Sequence, residues 1–257
     1  MIVRFSRVEL KYLLPRERCR SLIDDLSGWT IPDPHAGEQG YPVISLYYDS
    51  PELESFWAKI EGRRYRRKLR LRIYPGSAGH PGSGVGPVRF AAVEIKQRLD
   101  RTVQKRRLFL PLRDAEALCQ GHSLAGLDLE QQQVAAEVTS LCRSLALRPT
   151  AITAYQRRAY QGIGSHAGLR VTFDENVAAR LDALDLAASA PNQLILPESC
   201  CVLEVKADER VPAFLSSILA QHGCRLGRVS KYCTALAQLR TPSVLPLAHG
   251  PLPGECL

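Results

Sequence analysis

Apolar and polar residues alternate with a period of two in one segment after another. In RRKLRLRIY, Lys68, Arg70 and Arg72 alternate with Leu69, Leu71 and Ile73, as expected of a strand with one apolar and one polar face. The same alternation sets Arg7, Glu9 and Lys11 against Val8, Leu10 and Tyr12, and Glu94, Lys96 and Arg98 against Val93 and Ile95. It sets Arg170, Thr172 and Asp174 against Leu169, Val171 and Phe173, and Glu204 and Lys206 against Leu203 and Val205. Tyr155 and Arg157 share one face of TAITAYQRRAYQG; VISLYYDS and RTVQKRRLFLPL complete the predicted strands.

Helical spacing predicts the remaining elements. PRERCRSLIDDLSGW follows the first strand, with Pro15 suited to a first turn. SPELESFWAKIEG reads as a short helix with Ser50 as N-cap, Pro51 at its first position and Gly62 past its end. DAEALCQG and LEQQQVAAEVTSLCRSLAL form a helical middle, ERVPAFLSSILAQHG tolerates Pro212 in its first turn, and SKYCTALAQLR is a last helix. The Gly/Pro/Ser-rich stretch from Pro75 to Pro87 is expected to be a loop, and it lacks the GK[ST] ending of a phosphate loop. Strand-rich halves flank one helical insert, so residues 1–240 are expected to form one domain and 241–257 a loosely ordered tail.

Alternation alone leaves two arrangements open. A sandwich buries the apolar faces and leaves the charged faces in water, the commoner outcome for antiparallel sheets. A barrel curled toward its charged faces has a polar lumen and helices outside. The signs of the charges favour the barrel. They are mostly Arg and Lys with a few Glu, and like charges side by side repel unless an anion lies between them.

The chain has 257 residues and a formal net charge of +8, which suggests an anionic partner. No apolar run is long enough to span a bilayer, and MIVRFSRVELKY lacks the apolar core of a signal peptide; a soluble, cytoplasmic protein is expected. The eight cysteines include no CxxC pair, and free thiols are expected over disulfides. The histidines are dispersed, with no HExxH, and no nucleic-acid-binding module signature is present.

The segments ELKYLL, LYYDS, RKLRLRIY, VEIKQR, VQKRR, YQRRAY, LRVTFDENV, VLEVK and VSKYCTAL, in that order, resemble the VTC domain, the polyphosphate polymerase branch of the triphosphate tunnel metalloenzymes. The resemblance runs from about Arg4 to Leu239. It implies an α+β fold: an antiparallel barrel of about eight strands forming a charged tunnel, with helices packed outside.

The resemblance also implies roles. Lys11, Arg70, Arg72, Lys96, Lys105, Arg157 and Lys231 would grip phosphates, with Arg70, Arg72, Lys96, Arg157 and Lys231 catalytic. Arg suits bidentate capture of phosphoryl oxygens and Lys supplies a compact charge. Tyr155 would donate to a phosphate or pack, and Arg170 would line the lumen or pair with Asp174. Ser230 and Lys231 would present a helix N-terminus to phosphate. Glu204 resembles the family's ligand for Mn²⁺ or Mg²⁺, with Glu9 the second candidate. Tunnel enzymes carry E-x-E-x-K where this chain has Arg7, Glu9 and Lys11, so one divalent ion is expected rather than two. The implied activity is extension of polyphosphate from ATP, with ATP, triphosphate and polyphosphate as partners and no nucleic acid. Hydrolysis of triphosphates by the same lumen, or binding without turnover, are the alternatives. The chain carries no membrane segment, which leaves a membrane partner open, and its oligomeric state is not fixed by the sequence.

Overall fold

The computed structural model of the protein describes residues 7–34, 39–76, 90–100 and 102–240. The first strand, β1 (Arg7–Pro15), leads into α1 (Arg16–Leu26), then β2 (Thr30–Pro32), β3 (Tyr41–Asp49) and α2 (Glu54–Ile60). Three long strands follow: β4 (Tyr65–Ile73), β5 (Phe90–Leu99) and β6 (Thr102–Pro111). The helical middle is α3 (Leu112–Cys119) and α4 (Leu129–Ser144). Then come β7 (Arg148–Gly162), β8 (Arg170–Arg180), β9 (Gln193–Leu194), β10 (Cys200–Asp208), α5 (Ala213–Gln221) and α6 (Lys231–Leu239).

The strands make one antiparallel sheet of ten, in the order β1-β10-β8-β7-β3-β4-β5-β6, with β2 beside β7 and β9 beside β8. The expected barrel is therefore corrected. β1 and β6 are not paired with each other, and the sheet is not closed by backbone hydrogen bonds. It curls instead. Lys96 of β5 reaches Glu9 of β1, Nζ to Oε2 at 2.7 Å, so side chains bridge the seam. The 226–227 segment lies along β1, with a bridge between Tyr12 and Leu226 and a Gly227 N–H to Lys11 carbonyl bond of 2.8 Å.

The apolar faces bury outward, under helices. Leu69, Leu71, Val93, Ile95 and Leu108 pack under α3 and α4 through Leu112, Leu118, Val138 and Leu141. Leu203, Val205, Val171 and Phe173 pack under α1 and α5 through Leu22, Leu26, Leu215 and Leu219. At roughly 25 cal/mol per Å² of apolar surface, such faces drive the curl.

The expectation that all helices lie outside fails for α6. Its Tyr232, Cys233 and Leu236 pack with Tyr47 and Ala151, which belong to the charged face, and with Leu53 and Phe56 of α2. Together α2 and α6 cover one end of the concave face. The start of α2 also differs from the expected one. The helix begins at Glu54, with Leu53 at the N-cap at φ 60°. The cap comes from upstream: Asp49 accepts from the N–H groups of Ser55 (2.8 Å) and Phe56 (3.0 Å), and Ser50 Oγ from that of Glu54 (3.0 Å). Asp49 also accepts a hydrogen bond from Tyr232 of α6.

Among the described cysteines, Cys19, Cys119, Cys142, Cys201, Cys224 and Cys233 are free thiols. Cys200 is disulfide-bonded, which corrects the expectation of free thiols at that position. No helix among the described residues is long and apolar enough to cross a membrane. Most of the Pro75–Pro87 loop and the whole 241–257 tail lie outside the described residues.

Candidate functional site

Strand register assembles the concave face. Arg70 lies between Tyr47 of β3 and Glu94 of β5, and Glu94 lies opposite Arg107 of β6. Arg157 lies opposite Asp174. Lys11 pairs with Glu204, and Glu9 with Lys206. Because successive residues alternate faces, these registers put all of them on the same side of the sheet. Gly40 (φ +75°) leads β3 into place: a Cβ there would lie 2.1 Å from the Arg157 carbonyl oxygen.

Glu94 is the centre of one cluster. It is 1% exposed and receives Arg70 Nε at 2.7 Å, Arg107 Nε at 2.6 Å and Lys105 Nζ at 2.6 Å. Arg72 Nη1 stands 4.0 Å away. Burial on its own would raise the Glu94 carboxyl; Arg70, Arg72, Lys105 and Arg107 outweigh it and hold the group well below the usual range. The sequence reading put Glu94 on the charged face but gave it no role. Only the register reveals that it sits between Arg70 and Arg107. Lys105 shares Glu94 with Arg107, whereas Arg106 turns to Glu137 of α4 at 2.9 Å.

Asp174 is the centre of a second. Arg157 joins it through Nε–Oδ1 (2.6 Å) and Nη2–Oδ2 (2.8 Å), and Lys231 Nζ reaches Oδ2 at 2.5 Å. Tyr155 packs beside this cluster. Its ring lies 5.2 Å from the Arg157 guanidinium carbon and 4.4 Å from Lys231 Nζ, cation–π contacts that hold both.

Glu204 and Glu9 form the third. Glu204 lies 3.2 Å from Lys206 Nζ and 3.7 Å from Arg157 Nη2. Burial would raise its carboxyl, but Lys206, Lys11, a hydrogen bond with Glu9 and Arg157 hold it well below the usual range. Glu9 meets Lys96 through both oxygens (3.0 and 2.7 Å) and lies 3.8 Å from Lys11.

Arg72, 6% exposed, donates from Nε to Ser45 Oγ at 2.9 Å. Arg170 lies on the same face, but its partner is not Asp174. It pairs with Asp33, just past β2, and donates to the Tyr41 hydroxyl at 3.3 Å. Ser230 caps α6, accepting from the Cys233 N–H at 3.4 Å, so the expected cap is present and Lys231 begins the helix. The structure thus brings Lys11, Arg70, Arg72, Lys96, Lys105, Tyr155, Arg157, Arg170, Ser230, Lys231, Glu204 and Glu9 onto one concave surface.

Glu204, buried, and Glu9 lie on the same face of the β1/β10 pair, and two such carboxyl groups fit a divalent cation. Oxygen-only donors suit Mg²⁺ or Mn²⁺, with phosphate oxygens and water completing the shell. Another ligand-type group lies on the opposite, apolar face. Cys19, Glu175 and Cys201 are buried, with ligand atoms within 4.8 Å of one another. There Glu175 is paired with Arg16 at 3.1 Å and with Arg158.

Among curated proteins there is no match to this chain. Among solved structures, a candidate adenylate cyclase from Bacillus halodurans is 14% identical at a TM-score of 0.47, over 87% of this chain and 93% of that one. A second candidate adenylate cyclase, from Vibrio parahaemolyticus, is 11% identical at a TM-score of 0.46, over 91% of this chain and 99% of that one. The family model for the VTC domain matches residues 6–240, a span that takes in every strand and helix described above. The chain belongs to the VTC domain family.

Proposed function

We propose that the chain is a polyphosphate polymerase-like phosphotransferase, using ATP and a divalent ion to extend a polyphosphate chain in the cytoplasm. One observation carries the reading: Arg70, Arg72, Lys105, Arg157, Lys231 and their neighbours converge on a surface whose cations outnumber its carboxylates. A face with that excess of positive charge suits a linear run of phosphates.

In the proposed reaction the γ-phosphoryl group leaves the oxygen that bridges it to the β-phosphate and bonds to a terminal oxygen of the polyphosphate. ADP departs with the bridging oxygen and its electron pair. Such a transfer needs alignment and neutralised charge rather than a protein nucleophile. Arg70, Arg72 and Arg157 have the fork geometry for phosphoryl oxygens. Lys11, Lys96, Lys105 and Lys231 exchange carboxylate partners for phosphate as substrate enters. Tyr155 keeps Arg157 and Lys231 aimed at the same place. Glu204 and Glu9 would hold Mn²⁺ or Mg²⁺, which supplies neutralisation at the phosphate oxygens.

The test is to incubate the purified protein with ATP and Mn²⁺ and resolve the products. Long-chain polyphosphate with ADP is the expected result. Orthophosphate as the only phosphate product overturns the reading in favour of a triphosphatase, and tight binding without turnover in favour of a binding module.

A further inference from the structure

In the middle of the concave face the cations share the carboxylates of Glu94, Asp174 and Glu204. At one end several cations have no carboxylate partner among the described residues. β4 and β5 place Arg66 directly opposite Arg98, and the next pair inward is Lys68 opposite Lys96. Like charges directly opposite on a sheet destabilise it. Lys96 has Glu9, but among the described residues Arg66, Lys68 and Arg98 have no ion pair with a carboxylate. The nearby carboxylates are committed elsewhere: Asp100 to Arg64 (Nη2–Oδ2 2.9 Å) and Glu61 to Arg63 (2.7 Å). Arg98 reaches only the Asp100 backbone carbonyl, at 2.7 Å.

Two further elements bring cations to the same end. Lys59 comes from the last turn of α2 and Arg228 from the segment that enters α6; neither has an ion-pair partner among the described residues. Burial, with the charges of Arg66 and Lys68, brings the Lys59 amine down to about 8. Burial, with Arg98 and Arg228, holds the Arg66 guanidinium below its usual range. Lys68 Nζ stands 3.5 Å from both Ser230 Oγ and Cys233 Sγ, so the cluster abuts the N-terminus of α6, whose free N–H groups favour an anion.

Lys68 also lies over the Tyr232 ring, 5.0 Å from its centroid, but no carboxylate among the described residues offsets the Arg66–Arg98 pair. Arg66 lies two pleats along β4 from Arg70, a span of roughly 13 Å. We infer that Lys59, Arg66, Lys68, Arg98 and Arg228 form a second anion site, which takes the distal phosphates of a linear polyphosphate beyond those seated among Arg70, Arg72 and Arg157. The inference rests on the phosphate-binding reading of the concave face. Nucleic acid is the weaker occupant. Single-strand binding needs aromatic platforms for the bases, and the ring nearest Lys68, Tyr232, is buried at 1% exposure.

The test compares wild type with the Arg66→Gln/Arg98→Gln double variant, which breaks no ion pair. Affinities for triphosphate and for long-chain polyphosphate are measured at one fixed salt concentration. Wild type is expected to bind the long chain more tightly. The variant is expected to lose about tenfold or more for the long chain, to keep triphosphate affinity within about twofold and to melt no lower. Unchanged long-chain affinity, or a parallel loss for both ligands, overturns the inference. Single-stranded RNA that binds as tightly and loses as much in the variant overturns the choice of ligand. A wild type that binds triphosphate and long chain alike defeats this inference alone. One that binds neither defeats the phosphate-binding reading itself.

Discussion

Arg157 and Asp174 face each other across β7 and β8 and are joined by two parallel hydrogen bonds of 2.6 and 2.8 Å, with Lys231 closing on the same carboxylate at 2.5 Å. Asp174 is fully buried. Burial would raise its carboxyl, yet Arg157 and Lys231 bring it down to about 2, against 3.8 for the free group. A depressed carboxylate stabilises the fold above its unfolded pKa. The contribution, on the order of 2 kcal/mol, is complete above pH ~4 and is lost as the pH falls toward 2.

Asp174→Asn is expected to cost about 3–5 kcal/mol at neutral pH, because it strands Arg157 and Lys231 in the interior. Added triphosphate should restore more stability to this variant than to wild type, since it supplies the missing anion. Urea titrations with and without triphosphate check both. A loss under ~1 kcal/mol shows that the pair is not an interior keystone.

Arg72→Ala is expected to weaken triphosphate binding about tenfold or more, from the loss of a charge-assisted contact worth about 1.5–3 kcal/mol. It is a cleaner test than Arg70→Ala. Arg72 donates to the neutral Ser45 and stands 4.0 Å from Glu94, whereas Arg70 bonds that buried carboxylate directly at 2.7 Å. Calorimetric affinity together with a melting curve separates the two effects; wild-type affinity in Arg72→Ala removes β4 from the site.

Glu204→Gln distinguishes a metal ligand from a counter-ion for Lys206, Lys11 and Arg157. If Glu204 only balances charge, phosphate binding stays equal or tightens and turnover survives. As a ligand it is required for the reaction, so turnover should collapse while triphosphate still binds. The readout is rate against Mn²⁺ concentration beside triphosphate affinity. Normal turnover with unchanged metal dependence transfers the assignment to Glu9.

Triphosphate binding is expected to take up protons near pH 8. Burial, with the charges of Arg107 and Arg70, brings the Lys105 amine down to about 7 despite Glu94. Burial would raise the Tyr47 phenol, but Arg70 and Arg72 bring it down to about 8. An incoming polyanion raises both groups, so each gains protons on binding and affinity falls as the pH rises through this range. Titration calorimetry in buffers of different ionisation enthalpy measures the uptake; proton release at pH 8 contradicts it.

The strands and their faces were legible in the sequence because side-chain alternation is a local property, and the placement of Lys11, Arg70, Arg157 and Glu204 on one surface follows from it. What depends on distant contacts was not. How the sheet curls turns on how β1 meets β5 and β6, and no residue near Glu9 reports that Lys96 spans the gap. The apolar residues of YCTAL mark α6 as a packed helix without saying which side of the sheet it packs on. Glu94 acquires its four cations from the register of β4, β5 and β6. Arg170 finds Asp33 because β2 pairs with β7 and the Asp33 N–H bonds the Ala159 carbonyl, and β2 and β9 are too short to show a period.

The carboxylate of Asp49 ends β3, holds the first N–H groups of α2 and receives the Tyr232 hydroxyl of α6. The two helices that cover that end of the concave face are thus fastened to one rivet rather than to two independent latches. A substitution that removes the Asp49 carboxylate therefore takes a hydrogen-bond partner from both helices at once.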